Sequence, residues 1–449
     1  MPHHIEMNTS FWIATSIFIA AYALIISEKM HKTIIALAGA ALMLVLKIVD
    51  QHEAFHMEEL GVDWNVIFLL ISMMVIVNLM KPTGIFEYIA IKSAKAGKGS
   101  PGRILVIFSV VTALLSALLD NVTTVLLIMP VALFITDALE VDPLPFFISI
   151  ALASNIGGTA TLIGDPPNIM IASRAGLTFM DFIYNLAPII VIVMVFYVIT
   201  VKLIWGKKLV TRDALMEKVM SMDEREAIKD PVMMWKSLVV MSAVLVGFVL
   251  HGYLGLQPAT VALGGAGLMM VISHEENPHH ALSDLEWTTL FFFIGLFIII
   301  GGIVKVGLIE WMSVEALKAT NGNLLGTSML VMWFSAFASA FVDNIPYVAT
   351  MNPLIVDMAK NLWPGLSGAD LLHHKDLLPI WWSLALGACL GGNGTAIGAS
   401  ANVIVVGMSE KMGRKITFGR FMLYGMPLMM MSVAISAAYV WIRYYIFKI

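Results

Sequence analysis

Residues 155–168 read NIGGTATLIGDPPN, a glycine-rich polar stretch that interrupts an otherwise apolar segment. The Gly157-Gly158 pair and the Pro166-Pro167 doublet cannot continue a straight helix. The interruption leaves backbone N–H and C=O groups without helical partners, and such groups are costly in an apolar environment unless water, protein or a ligand satisfies them. We therefore predict a broken helix that holds polar groups deep inside the protein.

A second break of the same kind lies near the other end of the chain, where residues 387–402 read GACLGGNGTAIGASAN. Aligned on itself with one constant offset, the chain places Gly157-Gly158 on Gly391-Gly392, Thr161 on Thr395, Gly164 on Gly398 and Asn168 on Asn402. Earlier in each half, a slightly smaller constant offset matches Asp63-Trp64 with Glu286-Trp287, Gly84 with Gly307, Glu87 with Glu310, Asp120-Asn121 with Asp343-Asn344, and Pro130 with Pro353. Apolar composition alone does not explain these matches, so the sequence predicts an internal duplication.

The composition is that of a membrane protein. Of the 449 residues, 59% are hydrophobic and only 13% are charged, whereas soluble proteins carry roughly a quarter charged residues. The single cysteine, Cys389, excludes an internal disulfide and a multi-thiolate metal site. We find no H-E-x-x-H, serine–lysine or Gly-x-Ser-x-Gly pattern, and we expect neither an enzyme nor a bound cofactor or metal.

Apolar stretches of about 17–25 residues mark candidate membrane spans. Two stretches, 103–138 and 326–358, are too long for one crossing and carry an Asp-Asn pair near the middle, which favours re-entrant hairpins.

The predicted fold is an all-α integral membrane protein with two inverted repeats of five transmembrane helices, each with a re-entrant helical hairpin and a broken helix. The repeats are 1–205 and 237–449, joined by a cytoplasmic linker at 206–236. The predicted spans are 10–27, 33–48, 64–81, 143–171, 182–205, 237–251, 259–273, 287–304, 379–408 and 420–446. The run from Phe11 to Ile26 lacks a basic leader and a cleavage site, so we interpret it as a retained first span.

The positions of basic residues predict the orientation of the chain. The segments 28–32, 81–103, 205–236 and 409–420 fall on one side of this topology and hold 18 of the 27 Lys and Arg residues. Basic residues concentrate on the cytoplasmic side of membrane proteins. We expect both termini outside and a multi-pass protein of the bacterial inner (plasma) membrane.

The breaks and the hairpin tips together predict a substrate or ion site. Half-helix ends aimed at a polar solute are typical of secondary transporters, and the carboxylates Asp120, Asp165 and Asp343 are suited to carrying a coupling proton or Na⁺. Two structural alternatives stay open: each tip Asp could cap its helix, and the glycine pairs could be packing surfaces. The candidate binding residues are Asp120, Asn121, Thr123, Thr124, Gly157, Gly158, Thr159, Thr161, Asp165, Asn168, Asp343, Asn344, Gly392, Asn393, Gly394, Thr395, Ser400 and Asn402.

These motifs resemble the ion transporter superfamily, which joins arsenite permeases, NhaD-type sodium/proton antiporters, the melanosomal P protein and the dicarboxylate/citrate carriers. The resemblance covers nearly the whole chain and is nearest to the P-protein-like branch, through LDNVTT (119–124), residues 155–168, VDNIPY (342–347) and residues 387–402. It implies a scaffold with a mobile transport domain, elevator-like alternating access and a homodimer. Arsenite permeases also suggest an arsenite-stimulated ATPase partner; we expect no nucleic acid partner.

Departures from the dicarboxylate carriers guide the choice of substrate. Their hairpin tips read Ser-Asn-Thr, whereas Asp120-Asn121-Val122 and Asp343-Asn344-Ile345 stand here, and their Gly-Thr-Pro-Pro-Asn appears as residues 164–168, GDPPN. Each like-charge contact at about 4 Å costs about 4 kcal/mol at an effective dielectric of about 20, so the three aspartates disfavour a citrate or succinate anion. The resemblance implies proton-coupled efflux of arsenite or antimonite as the first hypothesis. A Na⁺/H⁺ antiporter is the alternative, followed by an anion carrier or an ion channel.

Overall fold

The regular structure of the protein is helical throughout the part that the computed structural model describes, residues 7–27, 29–57, 59–273 and 278–448. This confirms the predicted all-α class. The helices of the first repeat and the linker are α1 Thr9–Ser27, α2 Lys32–Val45, α3 Gln51–His56, α4 Trp64–Met80, α5 Ile85–Ala96, α6 Pro101–Leu118, α7 Asn121–Ala138, α8 Leu144–Gly158, α9 Pro166–Ala175, α10 Phe179–Asn185, α11 Ala187–Trp205 and α12 Asp213–Met220. The second repeat contains α13 Pro231–Leu254, α14 Pro258–Ile272, α15 Pro278–Ser283, α16 Trp287–Lys305, α17 Leu308–Ala319, α18 Leu324–Phe341, α19 Asn344–Leu362, α20 Gly368–Leu372, α21 Leu378–Gly391, α22 Ser400–Lys411 and α23 Phe418–Val440.

Many of these helices are suited to a bilayer. Among the described residues, nine helical segments are long and apolar enough to cross a membrane: α1, α4, α6, α7, α11, α13, α16, α18 and α23 with its extension to Ile446. The apolar helices α2, α8 and α14 are shorter. Large apolar side chains such as Leu203, Tyr253 and Val271 are exposed on the protein surface, which fits contact with lipid.

The predicted hairpins and broken helices are confirmed. Only Leu119-Asp120 separates α6 from α7, and only Val342-Asp343 separates α18 from α19. In the first break, α8 ends at Gly158 and the chain resumes as α9 at Pro166. The second break, between α21 and α22, contains a short 3₁₀ turn at Gly392–Gly394.

The two repeats pack reciprocally. Helix α2 of the first copy packs on α16 of the second, and the corresponding pair, α4 and α14, packs in the same way. The broken helices cross between the copies, with α9 against α21 and α22 against α8. Within each copy the hairpin packs on the first half of the broken helix, α6 on α8 and α18 on α21. This reciprocal packing fits the predicted inverted repeats.

Some helices were missed by the sequence prediction. We expected 81–103 to be a loop, but α5 lies there, and its counterpart α17 occupies the equivalent place in the second copy. Both helices follow a glycine with positive φ, 82° at Gly84 and 84° at Gly307, a backbone conformation that favours glycine. The expected span at 182–205 is divided at Leu186 into α10 and α11. Helix α5 packs on α7 and α17 on α19, so each buttresses a hairpin.

Glycine allows the hairpins to approach the broken helices closely. A Cβ added at Gly157 would lie 2.1 Å from the Ala113 carbonyl oxygen of α6, and one added at Gly391 would lie 2.6 Å from the Ala336 carbonyl oxygen of α18. Both contacts involve backbone atoms, which cannot rotate away as a side chain could. The packing interpretation of these glycines is therefore sufficient to explain them.

We predict that Gly157→Ala lowers the stability of the protein by at least about 1–3 kcal/mol, because the added methyl group overpacks the contact with α6. Gly264→Ala is the matched control, since a Cβ at that position of α14 would meet nothing within 4 Å. Thermal unfolding of the purified variants in detergent measures the difference. Equal midpoints for the two variants would contradict this account of the glycine.

Candidate functional site

Asp120 and Asp343 stand at the hairpin tips and cap the helices that follow them. The Asp120 carboxylate accepts hydrogen bonds from the Thr123 backbone N–H, at 2.8 Å, and from the Thr123 hydroxyl. Asp343 accepts a hydrogen bond from the Ile345 backbone N–H at 3.2 Å. The capping alternative therefore holds for both residues, although each carboxylate keeps lone pairs for other partners.

The carbonyl groups freed at each break are held by an asparagine of the same break. The Asn168 amide nitrogen lies 2.9 Å from the Thr161 carbonyl oxygen and 3.2 Å from that of Thr159. In the second copy, the Asn402 amide nitrogen lies 2.8 Å from the Gly392 carbonyl oxygen and 2.9 Å from that of Thr395. Both asparagines are fully buried. The chain thus satisfies these backbone groups itself, and they do not require a ligand.

A side-chain network joins the two breaks. The Asn155 amide nitrogen of α8 donates to the side-chain oxygens of Asn393 and Asn402, each at 2.9 Å. The Cys389 thiol of α21 donates to the Asn168 side-chain oxygen at 3.5 Å. The offset that aligns the two breaks also places Cys389 on Asn155, so the two contacts are repeat equivalents. Sequence reasoning named neither Asn155 nor Cys389 as a site residue, although the repeat alignment could have paired them.

Asp165 lies where the first break meets both hairpin tips. Its carboxylate accepts a hydrogen bond from the Asn121 amide at 3.0 Å and another from the Asn344 amide at 3.2 Å. All three side chains are almost completely buried. The structure thus brings together one predicted residue from each of three chemistry-bearing segments. The repeat equivalent of Asp165 is Ala399. Only the first of the two breaks therefore carries a carboxylate at this position.

Asp343 has a cationic partner that sequence reasoning missed. The Lys32 ammonium group, on the first residue of α2, lies 2.5 Å from the Asp343 carboxylate. The Ser400 hydroxyl at the start of α22 lies 3.0 Å from both groups. Lys32 and Asp343 belong to different repeats, and no local pattern indicates the contact. One of the three predicted negative charges is therefore compensated.

Two adjoining cavities give access to this region. A small cavity of about 20 Å³ is lined by Asp120, Asn121, Asp165, Asn344 and Ser400, together with Leu70, Met74, Val122, Pro166, Glu286, Thr289 and Ile345. A vestibule of about 480 Å³ shares Val122, Glu286, Thr289 and Ser400 with it and is also lined by Lys29, His31, Lys32 and Asp343. A third cavity, of about 560 Å³, lies between α4, α9, α14 and α19 and shares no lining residue with the small one.

The remaining predicted residues bond to backbone or pack against it. The Thr124 hydroxyl donates to the Asp120 carbonyl oxygen, that of Thr159 to Asn155, that of Thr161 to Ala117 and that of Thr395 to Ala340. The glycines Gly158, Gly392 and Gly394 each face atoms within 3.0 Å of an added Cβ. Each contact has a structural purpose, and a binding role for these residues stays a prediction.

The duplicated hairpins, the crossed breaks and the buried polar junction define a multi-pass membrane transporter. The family model described as "Citrate transporter" (CitMHS) matches residues 22–387, so the chain belongs to the CitMHS citrate transporter family. An uncharacterized transporter of Mycobacterium tuberculosis is 45% identical over 434 residues, covering 97% of this chain and 99% of that protein. A 46 kDa membrane protein of Mycobacterium leprae is 44% identical over 433 residues, covering 96% and 98%.

More distant relatives support the fold and the superfamily. The human P protein is 30% identical over 512 residues, covering 97% of this chain and 60% of its own length. The resemblance to the ion transporter superfamily is confirmed at the level of the family. Among solved structures, the YdaH transporter of Alcanivorax borkumensis aligns with a TM-score of 0.60 at 12% identity, over 98% of this chain and 99% of that one. That likeness shows the fold.

We predict that Asn402→Ala destabilises the protein by about 1–3 kcal/mol for each buried partner left without a hydrogen bond. The variant removes the partner of the Gly392 and Thr395 carbonyl groups and an acceptor for Asn155. Asn361→Ala, on the more exposed end of α19, is the control. Chemical denaturation in micelles compares the two variants, and equal losses would show that Asn402 does not support the break.

Proposed function

We propose that this protein is a proton-coupled secondary transporter that exports arsenite or antimonite, with Asp165 as the group that carries the proton. The observation that supports this most is the environment of the Asp165 carboxylate. It is fully buried, accepts amide hydrogen bonds from both hairpin tips and forms no ion pair with any residue that the structure describes. A buried carboxylate without a fixed cation is suited to binding and releasing a proton or a small cation.

The other two predicted proton carriers are less suited to the role. Asp120 is engaged by the Thr123 hydroxyl and backbone N–H, and Asp343 is paired with the Lys32 ammonium. A proton on Asp343 would break its ion pair with Lys32, and the Asp120 carboxylate is already committed to capping α7. Asp165 accepts from the neutral amides of Asn121 and Asn344, so its protonation breaks no ion pair.

The inverted repeats support alternating access. In this conformation the small cavity beside Asp165 shares lining residues with the vestibule at Lys32 and none with the third cavity between α4, α9, α14 and α19. If the two repeats exchanged conformations, the polar junction would move away from the vestibule at Lys32 and toward the third cavity. We propose that this exchange is elevator-like. By the distribution of basic residues, the vestibule at Lys32 faces the cytoplasm, which suits uptake of cargo for export.

A neutral trihydroxide fits the chemistry of the junction. As(OH)₃ and Sb(OH)₃ present hydroxyl groups that can donate to Asp165, Asp120 and the Asn121 side-chain oxygen, which has no hydrogen-bond partner among the described residues, and that can accept from the Asn344 amide. A citrate anion would instead meet an ionised Asp165, and one like-charge contact at about 4 Å costs about 4 kcal/mol at an effective dielectric of about 20. Its binding would require that Asp165 be protonated first.

A Na⁺/H⁺ antiporter is the second candidate, and the size of the small cavity favours it. A volume of about 20 Å³ suffices for a single water-sized species, since one water requires about 10–15 Å³ by this measure. A dehydrated Na⁺ bound to Asp165 would fit without rearrangement. A trihydroxide would require that the hairpin tips separate further or that it bind at the boundary with the vestibule.

We predict that Asp165→Asn abolishes coupled transport while leaving the fold intact, because the amide keeps the shape of the side chain but cannot titrate. The measurement is proton movement in proteoliposomes with an imposed pH gradient, with arsenite or Na⁺ added separately. Asp230→Asn is the control, since asparagine caps a helix as well as aspartate and Asp230 only caps α13. Wild-type coupling in Asp165→Asn would refute the assignment of the proton.

The same assay separates the substrates. Arsenite-dependent proton flux without dependence on sodium supports the arsenite exporter. Sodium-driven proton movement that arsenite leaves unchanged would replace it with the antiporter. Flux far above the turnover of a carrier and uncoupled from protons would indicate a channel.

A further inference from the structure

The Lys32 ammonium group lies in a cage formed by three other elements. The Asp343 carboxylate at the tip of the second hairpin is 2.5 Å away, and the Ser400 hydroxyl of α22 is 3.0 Å away. The third wall is the ring of Phe292 on α16, whose centroid lies 4.9 Å from the nitrogen. A carboxylate, a hydroxyl and an aromatic face are the groups that bind a monovalent ammonium-type cation.

This cage is present in only one of the two repeats. The two offsets that align the repeats place Asp343 on Asp120, Phe292 on Leu69 and Ser400 on Pro166. The first copy therefore keeps the carboxylate but lacks the hydroxyl and the aromatic ring. The cation is also missing there, because the offset that pairs Phe292 with Leu69 places Lys32 on Gly255, just after α13.

We propose that Asp343, Ser400 and Phe292 form a monovalent-cation site that the chain fills with its own Lys32. Because Lys32 is attached to the chain, its effective concentration at the cage is high, and a free Na⁺ or proton does not compete for Asp343. Lys32 is thus the residue that restricts ion coupling to Asp165. This last consequence depends on the proposed function, whereas the existence of the cation site does not.

The proposal predicts that Lys32→Ala creates a binding site for external cations. The truncated side chain leaves Asp343 and Ser400 without the ammonium group that both contact, beside a vestibule open to water. Methylammonium, Na⁺ and K⁺ are added in separate samples, and a bulky organic cation serves as the reference. The cation that binds is expected to raise the unfolding midpoint of this variant in a saturable manner. For the cation that fits best, we expect a rise of about 2 °C beyond any change in the unmodified protein.

Matched variants show whether the cage is responsible. Lys29→Ala removes a basic residue from the same vestibule that forms no ion pair in the described residues, and it should respond to cations no more than the unmodified protein does. The double variant Lys32→Ala/Asp343→Asn should lose the response, because the carboxylate is gone. A saturable response in Lys32→Ala that disappears in the double variant supports the cation site.

A charge exchange covers the case in which Lys32→Ala does not fold. Lys32→Asp/Asp343→Lys restores an ion pair of opposite direction and should unfold at a higher temperature than Lys32→Asp alone. No response to cations in a folded Lys32→Ala, or no recovery in the exchange variant, would overturn the proposal. Because thermal unfolding requires no transport, failure of arsenite flux leaves this result unaffected, and failure here leaves the proton assignment of Asp165 unaffected.

Discussion

The need to satisfy backbone groups at the two breaks constrains most of this structure. An interrupted helix in an apolar interior leaves carbonyl and N–H groups that cannot reach water, and Asn168 and Asn402 supply the missing partners from within each break. Because these amides must reach several carbonyl groups at once, each break is drawn into a compact loop. The close contacts at Gly157 and Gly391 then hold the hairpins against the loops.

The duplication provides a symmetric frame, and the chemistry lies where the two copies differ. Asp165 corresponds to Ala399 in the other repeat, and Asn155 corresponds to Cys389. A perfectly symmetric pair of breaks would place two like charges in one buried junction, which is strongly unfavourable when neither has a counter-ion. Because Ala399 stands in the second break, only one carboxylate from the two breaks enters the junction, where it accepts a hydrogen bond from the Asn121 amide.

Sequence reasoning predicted the fold because its evidence was local and duplicated. The glycine pairs, the Asp-Asn tips and their constant spacing specified broken helices and hairpins before any contact was known. It missed the Lys32–Asp343 pair because that contact joins residues far apart in the chain, and spacing carries no information about it. It also assigned the polar groups of the breaks to cargo, since the sequence does not show that Asn168 turns back onto its own loop.

The pairing of Asp343 changes the electrostatic argument about substrates. Three uncompensated aspartates would exclude any anion, but Lys32 cancels one charge, and the Thr123 hydroxyl and backbone N–H stabilise that of Asp120. The barrier to an anion then depends mainly on whether Asp165 carries a proton. Protonation would remove the negative charge of Asp165 and leave the Asn121 and Asn344 amides beside a neutral carboxylic acid, with Asp120 and Glu286 still lining the small cavity. Under the proposed function, the proton on Asp165 would both couple transport and lower the barrier to an anionic solute, so coupling and selectivity would depend on the same residue.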